Sequence, residues 1–321
     1  MKSMCRVAAL AIGLGTGAFV QAQNWPTRPV TVVVNFAPGG AADQLARIVG
    51  APLQEALGQP VVVENKAGAG GNLGGEVVAK AQPDGYTLLM SSGGMVSINP
   101  HLYQKMAFDP AKDLLPIASV ARVPFYLVVR AESPIKDFQG LVADLKAHPG
   151  QRSFGSPGNG SSPHLAAEMM MGRTGTSAIH VPYRGAAPAL TDLLGGQIDF
   201  LFDPGISLQH VKSGKLRMLA VASPQRVPLV PEVPTLDELG LKGFDADAVF
   251  GFYAPANTPA ALVKRLNTEI NRVLNQPAIK DRIVAIGDVP QESTPEAFKQ
   301  KGVDDFRRLG AIIRERGIKG D

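Results

Sequence analysis

PVTVVVNFAPGGAADQLARIVGAPLQEAL, residues 29–57, reads as one strand, one Gly-rich turn and one helix, and this stretch decides the fold. Val30, Val32, Val33, Val34 and Phe36 form a nearly continuous β-branched and aromatic run, the pattern of a strand buried on both faces of a parallel sheet. Pro38 cannot donate to a ladder, and Gly39 and Gly40 accept the positive φ values that turn a chain sharply. Leu45, Val49 and Leu53 then recur at every fourth position, with Ile48 and Ala56 beside them, so a helix lays one apolar stripe on the sheet. Asp43 falls in its first turn, where the macrodipole favours a negative charge, and Arg47 is spaced to pair with it. Backbone N–H groups at such a turn are where open α/β sheets hold anionic groups. A Gly-Gly turn is also plain chain geometry, so support must come from the rest of the chain.

The 321 residues, 45% of them hydrophobic, suit two globular domains. Lys2 and Arg6, an apolar run at 7–20 and the small-residue site Val20-Gln21-Ala22 read as a signal peptide cleaved after Ala22. The run is too short and too Gly-interrupted to remain as a membrane helix, so the expected product is exported and soluble. Cys5 lies inside that leader, leaving the mature chain without a disulfide or a thiol nucleophile. Removing Lys2 and Arg6 lowers the formal charge from +4 to +2, and no Lys/Arg cluster interleaves with aromatics, which argues against a nucleic-acid partner. An aromatic content of 6% argues against a sugar-stacking site.

Residues 60–65 (PVVVEN) read as a second strand, followed by the flexible segment KAGAGGNLGG, a helical stretch at 76–81 and a turn at Pro83-Asp84-Gly85. The glycines do not make a dinucleotide site: Gly68 and Gly70 need a third glycine where Leu73 stands, and no acidic residue follows a strand later. Residues 86–91 (YTLLMS) form a third strand, ending in Ser91-Ser92-Gly93-Gly94. Right-handed crossovers keep parallel strand ends together, so this turn belongs at the same sheet edge as Gly39-Gly40.

Residues 115–130 (LPIASVARVPFYLVVR) are two apolar strands broken at 122–124, where the chain crosses into a second lobe. There the logic repeats: helix 138–147, strand 152–155, the turn SPGNGSSPH, and helix 163–171 with Ser162 as N-cap and Pro163 at the first helical position. Strand 178–181 leads into PYRGAAPAL and a helix at 187–194, strand 198–202 ends at Asp203, and strand 216–222 precedes the Pro-rich loop VPLVPEVPT. The chain returns at 249–253, and helices at 259–275, 278–286 and 295–314 complete the first lobe. The expected division is a leader at 1–22, a discontinuous lobe 1 from 23–121 and 249–321, and lobe 2 from 122–248.

Nucleophilic chemistry is poorly served. Ser161, Ser162 and His164 share a turn, but no G-x-S-x-G elbow exists, and Ser162 is better explained as a cap. His101, His148, His164, His180 and His210 are scattered, with no H-E-x-x-H or cysteine set, so neither a metal nor another cofactor is expected. His164 and Glu168 read as a solvated i, i+4 pair. Arg184 fits two readings, a bidentate anion partner or an exposed loop arginine. What survives is a design repeated at four strand ends, Gly39-Gly40, Ser91–Gly94, Ser156–Ser162 and Tyr183–Ala186, in a cleft that binds rather than reacts. A secreted α/β hydrolase or isomerase using the same cleft is the alternative, and it lacks a recognisable nucleophile, base and orienter.

At these residues the chain resembles the Bug-type receptors, the extracytoplasmic solute-binding proteins of tripartite tricarboxylate transporters. FAPGGAAD at 36–43, VENKAGAGGNLG at 63–74, GSPGNGSSPHLAAE at 155–168 and HVPYRGAAPALTDLLGGQIDF at 180–200 carry the resemblance, and VPEVPTLDELG at 230–240 fits as well. It implies an α/β, type II periplasmic-binding-protein fold, two lobes with a cleft between them, and a periplasmic location. It also implies capture of a small carboxylate (a dicarboxylate, an amino acid or an aromatic acid) and delivery to membrane permease subunits. A ligand-loaded receptor docking on a signalling ectodomain is a further possibility. The candidate ligand-binding residues are Phe36, Ala37, Pro38, Gly39, Gly40, Ala41, Ala42 and Asp43; Ser91, Ser92 and Gly93; Ser156, Gly158, Asn159, Gly160, Ser161, Ser162 and His164; and Tyr183, Arg184, Gly185, Ala186 and Asp203. Backbone N–H groups of 37–42 and 158–162 are expected to grip the carboxylate, with Arg184 secondary and Gly40 bare so that the backbone approaches closely.

Overall fold

In the computed structural model, which describes residues 25–318, the opening stretch folds as the pattern requires. The four valines of strand β1 (Val30–Val34) are 2% exposed or less, and helix Ala41–Leu57 buries Leu45, Val49 and Leu53 completely. The leader at 1–22 lies outside the described residues. β1 stops before Phe36 because Asn35 leaves the ladder, its amide donating to the Gly71 carbonyl at 3.1 Å and to Ser91 Oγ at 2.9 Å.

The further strands are β2 (Val61–Asn65), β3 (Thr87–Ser92), β4 (Leu114–Val123), β5 (Tyr126–Arg130), β6 (Ser153–Ser156), β7 (Ile179–Pro182), β8 (Phe200–Asp203), β9 (Leu216–Val221), β10 (Ala248–Pro255) and β11 (Val289–Pro290). They form two sheets, ordered β11-β4-β10-β3-β1-β2 and β7-β6-β8-β5-β9. In the first, β1 runs parallel to β2 and β3, so the turns after β1 and β3 share one edge. β10 enters between β3 and β4 antiparallel to both, which brings its start, Phe250 opposite Ser92, to that same edge. The second sheet has the same plan. β6 is parallel to β7 and β8, whereas β5 is antiparallel to β8 and starts opposite its end, Tyr126 facing Asp203. Both sheets thus present the carboxyl ends of their parallel strands, together with the amino end of one antiparallel strand, along one edge.

The segment KAGAGGNLGG is ordered rather than flexible. It forms a 3₁₀ turn, Ala69–Gly71, running into helix Asn72–Ala79. Its glycines are there for packing: a Cβ on Gly74 would lie 2.7 Å from Asn35 Cβ, and one on Gly75 2.5 Å from Met95 Sδ. The N-cap of helix Ser162–Thr174 is Ser161, not Ser162, which leaves Ser162 and Pro163 inside the first turn. Helices Gly94–Ser97, Asn99–Leu102, Pro110–Asp113 and Leu208–Lys212 have no forerunner in the sequence reading, because four or five residues cannot display a helical period.

Candidate ligand-binding cleft

Three helix N-termini meet where the two sheet edges face each other. Helix Ala41–Leu57 starts at N-cap Gly40, helix Ser162–Thr174 at Ser161, and helix Ala186–Leu194 at Gly185, and none of the three is capped by a side chain. Gly40, Ala41, Ala42, Ser161, Ser162, Pro163 and Ala186 line one small cavity of about 30 Å³, with Phe36, Ser92, Phe125, Pro157, Pro204 and Phe250 as the remaining wall. No charged side chain lines it. The first turn of a helix carries N–H groups without intrahelical acceptors and a partial positive charge, so this apolar chamber is polarised by backbone alone.

A second chamber of about 200 Å³ adjoins it through the shared residues Phe36 and Pro157. Gly68–Gly71, Tyr103, Gly158, Asn159, Pro182, Tyr183 and Arg184 form its walls. Arg184 is exposed at this outer chamber rather than the inner one. Tyr183 donates to Asp192 Oδ2 at 2.7 Å, and burial together with that carboxylate pushes its phenol up to about 12.

The remaining candidates sit behind the cleft. Gly39 turns with φ +81, and its N–H donates to Asp43 Oδ2 at 3.0 Å. Burial raises the Asp43 pKa, but hydrogen bonds from Arg47, the Gly39 N–H and Asn65, with the Arg47 charge, outweigh it and hold the carboxyl below its usual range. Asp43 therefore fixes the turn. Pro38 is exposed beside it. Ser91 is fully buried and bonded to Asn35, and Gly93 donates to the Val249 carbonyl at 2.9 Å. Gly158 N–H donates to Ser156 Oγ, Gly160 N–H to His164 Nδ1, and Ser161 N–H to the Gly158 carbonyl. Several of these backbone donors are thus spent inside their own turns, namely Gly39, Gly158, Gly160 and Ser161, whereas the first-turn groups at Ala41, Ala42 and Ser162 line the inner chamber. Asp203 is fully buried, its Oδ2 accepting from Gly205 N–H, Ser207 N–H and Ser207 Oγ at 2.8, 2.9 and 2.7 Å, while its neighbour Pro204 reaches the cavity.

Two expectations need correction. His164 and Glu168 are not a solvated pair: His164 is 4% exposed, lies 3.9 Å from Glu168, and burial with the neighbouring His180 pushes its pKa down to about 3. Helix Ser162–Thr174 turns that face inward onto the second sheet. Nor is Gly40 where the backbone demands glycine, since its φ is −76° and a Cβ there would meet only the Ala37 carbonyl, at 3.6 Å. The close approach is at Gly185. With φ +146, a Cβ there would stand 2.7 Å from Ala37 Cβ and 3.2 Å from Ala37 N, across the cleft.

Phe125, Phe250 and Pro204 escape the sequence reading because they lie on the crossing segments and a strand end, where apolar residues read as core. The available signal is topological: an antiparallel strand beginning at the edge where parallel strands end puts its first residue into the cleft. Tyr103 donates to the Asn159 carbonyl at 3.2 Å, joining the two sides of the outer chamber.

Two α/β sheets meeting at their strand ends over a cleft of helix N-termini define the periplasmic-binding-protein class. The family described as tripartite tricarboxylate transporter family receptor matches residues 45–318. Protein BugT of Bordetella pertussis (strain Tohama I) is 38% identical over 308 residues, covering 95% of this chain and 94% of that one. The solved structure of periplasmic binding protein BugD superposes with a TM-score of 0.88 at 36% identity, covering 92% of this chain and 99% of the other. Rpa4515 of R. palustris, solved with adipate, gives 0.89 at 33% identity with 92% and 99% coverage; MatC of Rhodopseudomonas palustris, with bound malate, gives 0.86 at 33% with 90% and 100%. The chain belongs to the tripartite tricarboxylate transporter receptor family.

Proposed function

We propose that the chain captures a small carboxylate in the periplasm and delivers it to the membrane permease of a tripartite tricarboxylate-type transporter. The observation that carries this reading is the inner chamber, where three helix N-termini from both sheets converge and no charged side chain competes for an anion. A cationic side chain held there would be costly to strip of water in an empty receptor, whereas aligned backbone dipoles carry no such penalty. The inner volume suits one carboxylate group, and the adjoining outer chamber suits the rest of a short ligand. Malate and adipate, held by two similar proteins, have this form: two carboxylates on a short chain.

The strand memberships support a two-lobe division in the order expected, with the cuts shifted by a residue or two: β1–β4, β10 and β11 share one sheet and β5–β9 the other, so the chain changes lobe after Val123 and before Ala248. Ligand then closes the lobes about the crossings at Pro124-Phe125 and before β10. A ligand that binds only the folded receptor stabilises it by roughly 2.7 kcal/mol at a hundredfold excess over Kd. Titration with malate and adipate is accordingly expected to raise the melting temperature of the secreted protein, with compaction in small-angle X-ray scattering. Mass spectrometry of co-purified small molecules identifies the natural acid. A screen of dicarboxylates, amino acids and aromatic acids that produces no thermal shift rejects the reading.

Arg184 separates dipole capture from ion-pair capture. Because it stands exposed at the outer chamber, Arg184→Ala is expected to weaken binding by no more than about tenfold, or 1.4 kcal/mol, in calorimetric titration. Complete loss of binding in that variant assigns the grip to a salt bridge instead.

A further inference from the structure

Behind the turn at 156–162 stands a row of rings that lines neither chamber. His180 on β7, Phe154 on β6 and Phe200 on β8 face one another in register, so their side chains fall in line across the second sheet. Phe154 stacks on His180 at 4.9 Å and on Phe200 at 5.6 Å. His164, from helix Ser162–Thr174, caps the row with its ring 3.8 Å from that of His180 and 11° from parallel. His164 reaches the backbone of the turn directly, and His180 reaches it through the Ser156 hydroxyl. His164 Nδ1 accepts the Gly160 N–H at 3.3 Å. His180 Nε2 lies 2.7 Å from Ser156 Oγ, and that oxygen accepts the Gly158 N–H at 3.2 Å while lying 3.0 Å from the Gly158 carbonyl.

We propose that His164 and His180 are positioning residues for ligand binding: they hold Gly158 and Gly160 in place so that the helix N-terminus at Ser162 faces the inner chamber. The proposal rests on the reading of that chamber as a carboxylate site. Gly158 and Gly160 take φ values of +136 and +73, and glycine by itself leaves such a turn many alternatives. A stacked pair of rings seated on an aromatic row is rigid, so the Gly160 N–H bond to His164 and the Ser156 hydroxyl held by His180 remove that freedom before ligand arrives. Preorganisation of this kind raises affinity by lowering the ordering cost of binding. The acceptor role requires a neutral His164, and its burial keeps it neutral. Simple core filling makes a different demand, since an apolar side chain of similar volume satisfies it.

Two substitutions at each position separate these roles in the full secreted chain. His164→Asn keeps an acceptor near the place of Nδ1 and His164→Leu removes it; His180→Gln keeps a polar group that can bond the Ser156 hydroxyl and His180→Leu removes it. With malate and adipate as probes, the Leu variants are expected to bind about tenfold more weakly, the fold-change for one lost hydrogen bond, and the Asn and Gln variants within about threefold of the parent. Amide hydrogen exchange read by NMR without ligand is expected to show the Gly160 N–H exposed in His164→Leu and protected in His164→Asn. Equal behaviour of the Asn and Leu variants, or an unchanged Gly160 exchange rate in His164→Leu, overturns the positioning role. Should the parent bind neither acid nor any other in the screen, the carboxylate reading falls, and the Gly160 exchange comparison still decides whether His164 holds the turn.

Discussion

Gly185→Val is expected to abolish carboxylate binding while leaving a folded receptor. The Cβ it introduces would lie 2.7 Å from Ala37 Cβ and 3.2 Å from Ala37 N, so the turns after β1 and β7 cannot close on each other. Two branches beyond that Cβ enlarge the clash. The positive φ of residue 185 adds backbone strain of about 1–3 kcal/mol, which lowers the melting temperature of the unliganded protein by a limited amount. Gly150→Val is the matched control, because residue 150 also has a positive φ (+68) but a Cβ there meets nothing within 4 Å and it lines neither chamber. Calorimetric titration and scattering of both variants check the expectation. Normal affinity and normal compaction in Gly185→Val show that the 37–185 contact plays no part in holding ligand.

Asp288→Asn is expected to stabilise the fold at neutral and alkaline pH. Asp288 is 2% exposed, and neither of its carboxylate oxygens has a hydrogen-bond partner among the described residues. Burial, and then the fields of Asp203 and Asp247, raise its pKa well above the ordinary value of 3.8; burial also pushes Asp203 and Asp247 up to about 6. An acid with a raised folded-state pKa binds its proton more tightly when folded. Its contribution to stability is fully present below the unfolded value and is lost as pH rises through the folded one. These three groups therefore make the receptor lose stability as pH climbs from about 4 through 6 and beyond. Replacing the unpartnered carboxylate by a neutral amide removes a burial penalty of about 2 kcal/mol, or roughly 4 °C or more in melting temperature. Scanning calorimetry at pH 5 and pH 8 checks this. A larger gain at pH 5 than at pH 8 would refute it.

How far the sequence discloses the molecule depends on which physical signal each residue carries. Local patterns are legible: the valines of β1, the apolar stripe of helix Ala41–Leu57 and the Asp43–Arg47 pair all stand as expected. Three of the four motifs that carry the family resemblance reach the inner chamber, through Phe36 and Gly40, Ser161 and Ser162, and Ala186. Signals that depend on what lies across space are not legible. Gly74 and Gly75 read as flexibility until Asn35 and Met95 are seen against them. His164 reads as a surface residue until helix Ser162–Thr174 is rotated onto the ring of His180. Gly40 and Gly185 look alike in a sequence, and only the dihedral angle and the facing Ala37 tell them apart.

The place of β10 between β3 and β4 bears on the order in which the molecule assembles. The strands of the second sheet come from one uninterrupted run, from Tyr126 to Val221, and pair without waiting for anything downstream. The first sheet cannot. Until Ala248–Pro255 has left the ribosome, β3 and β4 each carry an unpaired edge, and the pair Phe250–Ser92 must then close a loop that contains the whole second sheet. Pairings so distant along the chain form slowly, and open edges invite association with other chains in the meantime. The nascent protein is thus expected to complete its middle first, with the half that holds the Gly39-Gly40 turn maturing last, on the template of a finished neighbour.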